Sequence, residues 1–383
     1  MSKSTYPTWE GITLVVNSRA RLPRVKVTAD GQGMVGHAGV RLLADLAERS
    51  GLEGALSTAL RPLRQRRRRN EPGSELVDLA VTLADGGDCL SDPQVLRHQP
   101  GLFGQVVSQT TAWRVVEAIE QSVLERVQRA WARARARVWK WDAAPGRATL
   151  DFDATLVKSY SEKEGAAPTY KQGFGFHPLL VHLDETREAL AGRLRPGNAS
   201  QDHVELLEEA LAQLPLPTRK EDPERGLEVL VRADTTGATH SFVEAIIERG
   251  LKFSIDFDAT EPVRLAILKL PKSAWVDAIQ KDLEPREGAW VVELTRYLDL
   301  SAWPAGTRAI GRREEPHPGA QFNLFDPDGY GHQVLITNSK DPDIAYLEAR
   351  HRGHARVEDR IRWGKAWVWR TSPSPSSPRT RSG

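Results

Sequence analysis

A mixed α/β protein with a mainly helical N-terminal domain and a β-rich insertion is the architecture this sequence predicts, on three observations. From Gly36 to about Trp141 apolar residues recur with a helical period. After Pro145 the pattern becomes strand, turn, strand, helix, as in a sheet flanked by helices. Between Glu261 and Gln333 short β runs rich in Trp and Pro replace the helical ones. The predicted organisation is an extended or β segment over 1–35, a helical domain over 36–145, an α/β core over 146–260 resumed over 334–368, the β-rich insertion over 261–333, and a tail over 369–383.

At 383 residues the chain is too long for one ordinary core. Its 27% charged and 40% hydrophobic residues are those of a folded protein. The net charge is only +2, so any nucleic-acid contact must rest on local basic patches. Cys89, the single cysteine, excludes an internal disulfide framework and reads as a small buried hydrophobe in a reducing compartment. No apolar run reaches the length of a membrane span and no secretory leader precedes the first domain, which predicts a cytoplasmic protein with no membrane partner.

Taken in order, TLVVNS and RVKVTADGQG read as short strands. VRLLADLAERSGL places Leu42, Leu43, Leu46 and Ala47 on one face, and Gly51 stops the helix. Arg64–Asn70 carries five arginines in six positions; such a run is a solvated loop or a grip on a phosphate backbone, with Arg66, Arg67, Arg68 and Arg69 as candidates. Gly86-Gly87 breaks the next apolar helix. Ser108–Trp131 is helical in period, with Val115, Ile119 and Leu124 inward and Ser108 or Thr110 as cap. It reads either as an ordinary bundle helix or as the second helix of a helix-turn-helix presenting Gln109, Thr111 and Arg114 to base edges. RAWARARARVWKW follows as an exposed basic helix. Beyond Pro145 the predicted strands are ATLDFDATLVK, LLVHLD, LEVLVRAD and FSIDFDAT, with helices over Gln201–Leu214, SFVEAIIERG and DPDIAYLEARHRGHARVEDRIRWGK. The tail is rich in Pro, Ser and Arg, has no period and is expected to be disordered.

The strand ATLDFDATLVK carries Asp151 and Asp153 two apart, hence on one face. Such a pair either faces water on an edge strand or is neutralised by something cationic, and magnesium prefers carboxylate oxygen. Asp153 at a strand centre, Asp234 at the end of a later strand, and Glu358 on a late helix form a set of the kind two-metal phosphoryl chemistry uses.

The contexts of these three residues carry a resemblance. DAT at 153–155, RADTTGATHSF at 232–242 and HRGHARVEDRIRWGK at 351–365 are similar to the three acidic motifs of DDE-type bacterial insertion-sequence transposases. It extends to VDLAVTLADGGDCLSDPQVLRHQP, RLRPGNAS and LSAWPAGTRAIGRREEPHPGAQ. In related groups the last motif reads Tyr, two residues, Arg, three residues, Glu, six residues, Lys. Here Glu358 and Lys365 keep that spacing, while His351 and His354 replace the Tyr and the Arg. The resemblance implies a ribonuclease H-like mixed sheet, catalytic and metal-ligating roles for Asp153, Asp234 and Glu358, and two Mg²⁺ ions for which Mn²⁺ can substitute. It implies DNA contact by Lys365 as well. The implied partners are double-stranded DNA, as terminal inverted repeats and as target, and a second copy in a synaptic homodimer at the nucleoid. It also selects Asp153 over Asp151, leaving Asp151, Arg232, His240, His351 and His354 as supporting residues around the site. Trp290 and Trp303 lie where a base could stack or a core could pack.

Relatives of this kind continue past the lysine with apolar helices, so the change of composition after Lys365 is expected to leave the Glu358 helix poorly anchored, with apolar surface around Ile361, Trp363 and Trp367. The leading expectation is a transposase that cleaves transposon ends and transfers strands. The alternatives are an inactive remnant that only binds ends, and a histidine metalloenzyme using His351, His354 and Glu358 on one helical face.

Overall fold

The computed structural model describes residues 37–63, 71–87, 89–141, 144–160, 162–217, 220, 222, 226–316 and 329–369, with side chains to 362. They fall into two compact units, one within 1–143 together with the chain from 365 on, and one within 144–364. The strands expected in 1–35, the Arg66–Arg69 run and the tail beyond Trp369 lie outside the described residues.

The first unit is helical: α1 (Arg41–Arg49), α2 (Leu52–Ala59), α3 (Pro72–Ala84), the short α4 (Gln94–Arg97) and α5 (Pro100–Phe103), α6 (Gln109–Glu117) and α7 (Gln121–Trp141). Its core joins Leu52, Leu56 and Leu60 to Val77, Val81, Leu96, Phe103, Val123, Val127 and Ala130. The α1–α2 turn needs the left-handed backbone that Gly51 supplies at φ +72°. Of the apolar face read from the sequence, Ala47 is buried, but Leu42 is 68% exposed and Leu46 48%. The cause is a buried ion pair. Arg41 Nε donates to Asp45 Oδ1 at 2.8 Å, and its guanidinium also reaches the Leu102 carbonyl, so α1 docks on its small and paired residues. Leu124 is likewise exposed, and Val123 and Val127 take the inward positions of α7. Cys89, expected to be buried, is exposed in the loop that the Gly86-Gly87 break creates.

The second unit begins with β1 (Arg147–Ala154), a small sheet of β2 (Val157–Lys158), β3 (Ala167–Pro168) and β4 (Phe174–Phe176), then β5 (Leu179–Leu183), β6 (Glu188–Arg193) and α8 (His203–Leu211). It continues through β7 (Glu228–Ala233), α9 (His240–Glu248), β8 (Lys252–Phe257), α10 (Glu261–Leu268), β9 (Val276–Ile279), β10 (Pro285–Glu293), β11 (Arg308–Glu314), β12 (Gly331–Thr337), α11 (Ile344–Arg352) and α12 (Ala355–Trp369). The main sheet runs β6-β5-β1-β7-β8-β12-β11-β10-β9. β6, β5 and β1 pair antiparallel, and β1, β7 and β8 pair parallel. That order and those directions are the ribonuclease H-like arrangement. The strands from β12 outward pair antiparallel, so the 261–333 segment extends the main sheet rather than forming a separate one.

Alternation along β1 assigns its faces. Leu150 and Phe152 point to one side, where the Phe152 ring lies 5.1 Å from Phe242 of α9 and 6.3 Å from His203 of α8. Asp151 and Asp153 point to the other, where the junction between α11 and α12 brings His354 to Asp151. Burial pushes the His203 imidazole down to about 4, partly through Arg195 as well. His203 is therefore neutral in the fold, whereas the unfolded chain takes up its proton near pH 6.5. Between pH 4 and 6.5 the unfolded state binds more protons, so this residue makes stability rise with pH there, by about 3 kcal/mol in all. Urea unfolding across that window should be steeper in pH for the parent than for His203→Phe. Equal slopes would show that His203 titrates alike in both states.

Candidate active site

In-register pairing builds a row of polar residues across the sheet. His182 of β5 faces Asp151 of β1, which faces Arg232 of β7, which faces Ser254 of β8, which faces Thr337 of β12. Asp151 is 0% and Arg232 1% exposed, and they form a two-pronged pair: Nε to Oδ1 at 2.7 Å and Nη2 to Oδ2 at 2.8 Å. A buried carboxylate is tolerable only when matched in this way.

The junction of α11 and α12 sits on this row. His351 bonds Ser254 Oγ through Nδ1 and Asp256 Oδ1 through Nε2, both at 2.9 Å. His354 Nδ1 lies 3.1 Å from Asp151 Oδ1. Burial pulls the His354 pKa down, but the bond and charge of Asp151 outweigh it and hold it above the ordinary value. Gly353 lets the junction come this close, since a Cβ there would stand 2.4 Å from the Arg232 guanidinium, which is locked in place.

Asp184, just past β5, is the second anchor. Its carboxylate accepts from Arg232 Nη2 at 2.8 Å, from Arg356 Nε at 3.0 Å and from Arg360 Nη2 at 2.8 Å. Burial alone would raise its pKa; hydrogen bonds from Arg356 and Arg360 and the charge of Arg232 hold it far below the carboxylate range. Two arginines one turn apart on α12 are thus tied to the sheet, and Val357 and Ile361 are buried beside them. The expectation of a poorly anchored helix with Ile361 exposed is overturned at these residues. Asp184 was not singled out in the sequence, although the i, i+4 arginines flanking Glu358 were a legible signal for a carboxylate partner.

Asp153 stands at the C-terminal end of β1, not at the strand centre as the sequence suggested, and is half-buried. Asp234 follows β7 one residue past the pair Phe152–Ala233, so the two aspartates end adjacent parallel strands. The Asp234 carboxylate caps a short turn, accepting the Thr236 amide at 3.1 Å and the Thr236 hydroxyl. Glu358 is exposed on α12, one helical turn past His354. The Asp153 carboxyl is pushed up to about 6, chiefly by burial, with the charges of Asp234 and Glu358 adding and His354 opposing. An all-oxygen set short of positive charge suits a hard divalent cation. Among the described residues, though, no three His, Cys, Asp or Glu side chains are closed around one metal position.

The sequence over residues 17–377 matches the family described as transposase DDE domain, group 1. The chain belongs to that family. No curated protein matches this transposase in sequence. Among solved structures it is similar to piggyBac transposase in a synaptic complex with hairpin DNA, at 10% identity, covering 88% of this chain and 70% of that one with a TM-score of 0.40. It is also similar to Mos1 transposase in a paired-end complex with the left transposon end, at 11% identity over 50% of this chain and 60% of that one, with a TM-score of 0.18. Family membership rests on the sequence match and the fold on the strand order above.

Other anticipated residues of the transposase are placed as follows. His240 opens α9, exposed, its ring 4.6 Å from that of Trp303, which also packs on Phe257 at 5.8 Å. Trp290 joins Trp275 and Tyr330 around the Arg313 guanidinium, 5.0, 4.3 and 5.1 Å from the ring centres. Trp290 is thus packed within the insertion, and Trp303 packs on His240 and Phe257 of the core. The predicted last helix is two helices broken at Gly353-His354, so His351, His354 and Glu358 do not share one helical face. Both imidazoles are committed to the sheet, which removes the histidine-metalloenzyme reading. In the first unit Ser108 caps α6; Gln109 and Arg114 are exposed, and Thr111 bonds the capping hydroxyl at 3.0 Å. Lys365 continues the α12 backbone. Among the described residues no helix is long and apolar enough to cross a membrane.

Proposed function

We propose that this transposase cleaves DNA at transposon ends and joins them to target DNA, with Asp153, Asp234 and Glu358 as its catalytic carboxylates. The observation that carries the reading is the parallel pairing of β1 with β7, which ends Asp153 and Asp234 on adjacent strands, 81 positions (234−153) apart in the chain, in a member of the DDE family. Those three side chains would hold Mg²⁺ or Mn²⁺, hard ions that take carboxylate oxygen, once they turn toward one another. Bound there, two such ions would activate the attacking oxygen and stabilise the leaving one. The chain's own contribution is positional. β1 and β7 fix the aspartates side by side, Thr236 orients Asp234, and α12 carries Glu358 on a helix pinned through His354, Arg356 and Arg360.

Arg66–Arg69 and Lys365 are assigned to the phosphate backbone and Gln109, Thr111 and Arg114 to base edges of the terminal repeat, with a homodimer pairing two ends. A remnant that only binds ends is disfavoured, because the burial of Val357 and Ile361 and the Asp184 cluster hold the Glu358 helix firmly. The purified chain, given Mg²⁺ or Mn²⁺ and a duplex bearing the element's ends, should nick that duplex and join it to a second one, and EDTA should stop both. Ion-independent nicking, or none with either ion, would refute the assignment.

A further inference from the structure

We propose that α7 carries a second, sequence-independent DNA-binding surface: a stripe of Arg126, Arg129, Arg133, Arg137 and Lys140 that grips the phosphate backbone. This rests on the reading of the chain as a DNA-handling transposase and assigns that role to a surface outside the arginine run and α6. The five residues are spaced 3, 4, 4 and 3 apart. At 3.6 residues per turn they fall within an arc of about 80° and extend over about 21 Å of helix, roughly the rise of six base pairs. All five are exposed, and none has an ion-pair partner among the described residues.

The neighbouring face of α7 is the one that packs. Val123, Val127, Ala130 and Ala134 are buried, and so is Arg135, which points away from the stripe. The basic stripe is therefore held on a rigid helix rather than on a loop.

A merely solvated helical face interleaves opposite charges, because unlike pairs at i, i+4 stabilise it and like pairs destabilise it. Here Arg129, Arg133 and Arg137 repeat the same charge at successive i, i+4 positions, and Glu125, outside the arc, is the one carboxylate on α7. In a chain whose net charge is only +2, this is a strong local excess of one sign. A polyanion relieves that repulsion. Arginine's planar fork suits phosphate oxygens, and a stripe that offers no hydrogen-bonding pattern for base edges grips without selecting sequence.

The test is a salt titration of binding to a mixed-sequence, fluorescein-labelled DNA duplex, read by anisotropy without divalent ions. Each phosphate contact contributes about −0.9 to the slope of log K against log salt. The triple substitution Arg129→Ala, Arg133→Ala, Arg137→Ala should make the slope shallower by about 2.7 and weaken binding more than roughly tenfold near 100 mM salt. Its melting temperature should hold or rise, because Ala favours helix and three repelling charges are gone. Arg133→Glu alone should weaken binding further than Arg133→Ala. If the parent binds the duplex and the variants keep its slope, the stripe is not a DNA surface, while the broader functional reading stands. A changed sedimentation coefficient with an unchanged slope would assign the stripe to a protein partner and overturn the proposal. A parent that binds no duplex overturns both.

Discussion

Asp153→Asn is expected to abolish ion-dependent cleavage while leaving affinity for the transposon end unchanged. Losing one carboxylate charge from a set that must hold divalent ions should exceed the 10–100-fold penalty typical of residues that only support metal ligands, so activity should fall by more than about 100-fold. Binding should survive, because its assigned contacts lie in the first unit and use phosphates and base edges. The substitution should not unfold the chain. Asp153 sits half-buried at a strand end, its carboxyl is already held above the usual range, and the neutral amide removes a destabilised charge. End-labelled cleavage and electrophoretic mobility shift, run on one preparation, separate the outcomes. Cleavage and binding lost together would make Asp153 structural; cleavage retained would remove it from the catalytic set.

Breaking the buried pair beneath the site should have the largest effect on stability. Arg232→Met leaves Asp151 with only His354 to balance it, and takes from Asp184 one of its three arginines. Removing one member of a buried ion pair costs about 3–5 kcal/mol, which lowers the melting temperature of a unit this size by on the order of 10 °C. Asp151→Leu combined with Arg232→Met should recover part of the loss, since the stranded charge goes with its partner. Additive losses in the double variant would mean that the two residues are uncoupled despite their 2.7 and 2.8 Å contacts. Asp184 joins this network to α12, so Asp184→Asn should loosen the Glu358 helix while sparing β1 and β7. Hydrogen exchange over residues 355–362 reads that difference.

Much of the architecture was legible because it is periodic. The helical repeat before Trp141 and the strand grammar after Pro145 report directly which residues share a face, as Asp151 and Asp153 do. Local chemistry was legible too: Ser108 caps α6 and Gly51 ends α1 through contacts a few residues long. Periodicity does not say which face is covered. Leu42 and Leu46 form as good an apolar stripe as any in the chain, yet a buried Arg41–Asp45 pair turned α1 the other way. Nor does it reveal partners far apart in the chain. The acidic motifs and the DDE family were readable from residue order and spacing. That Arg232 neutralises Asp151, that His354 sits on the pair, and that Asp184 ties down the helix bearing Glu358 became visible only in the fold. Strand register and helix docking between distant segments decide those contacts, through burial and charge matching that no local stretch of sequence contains.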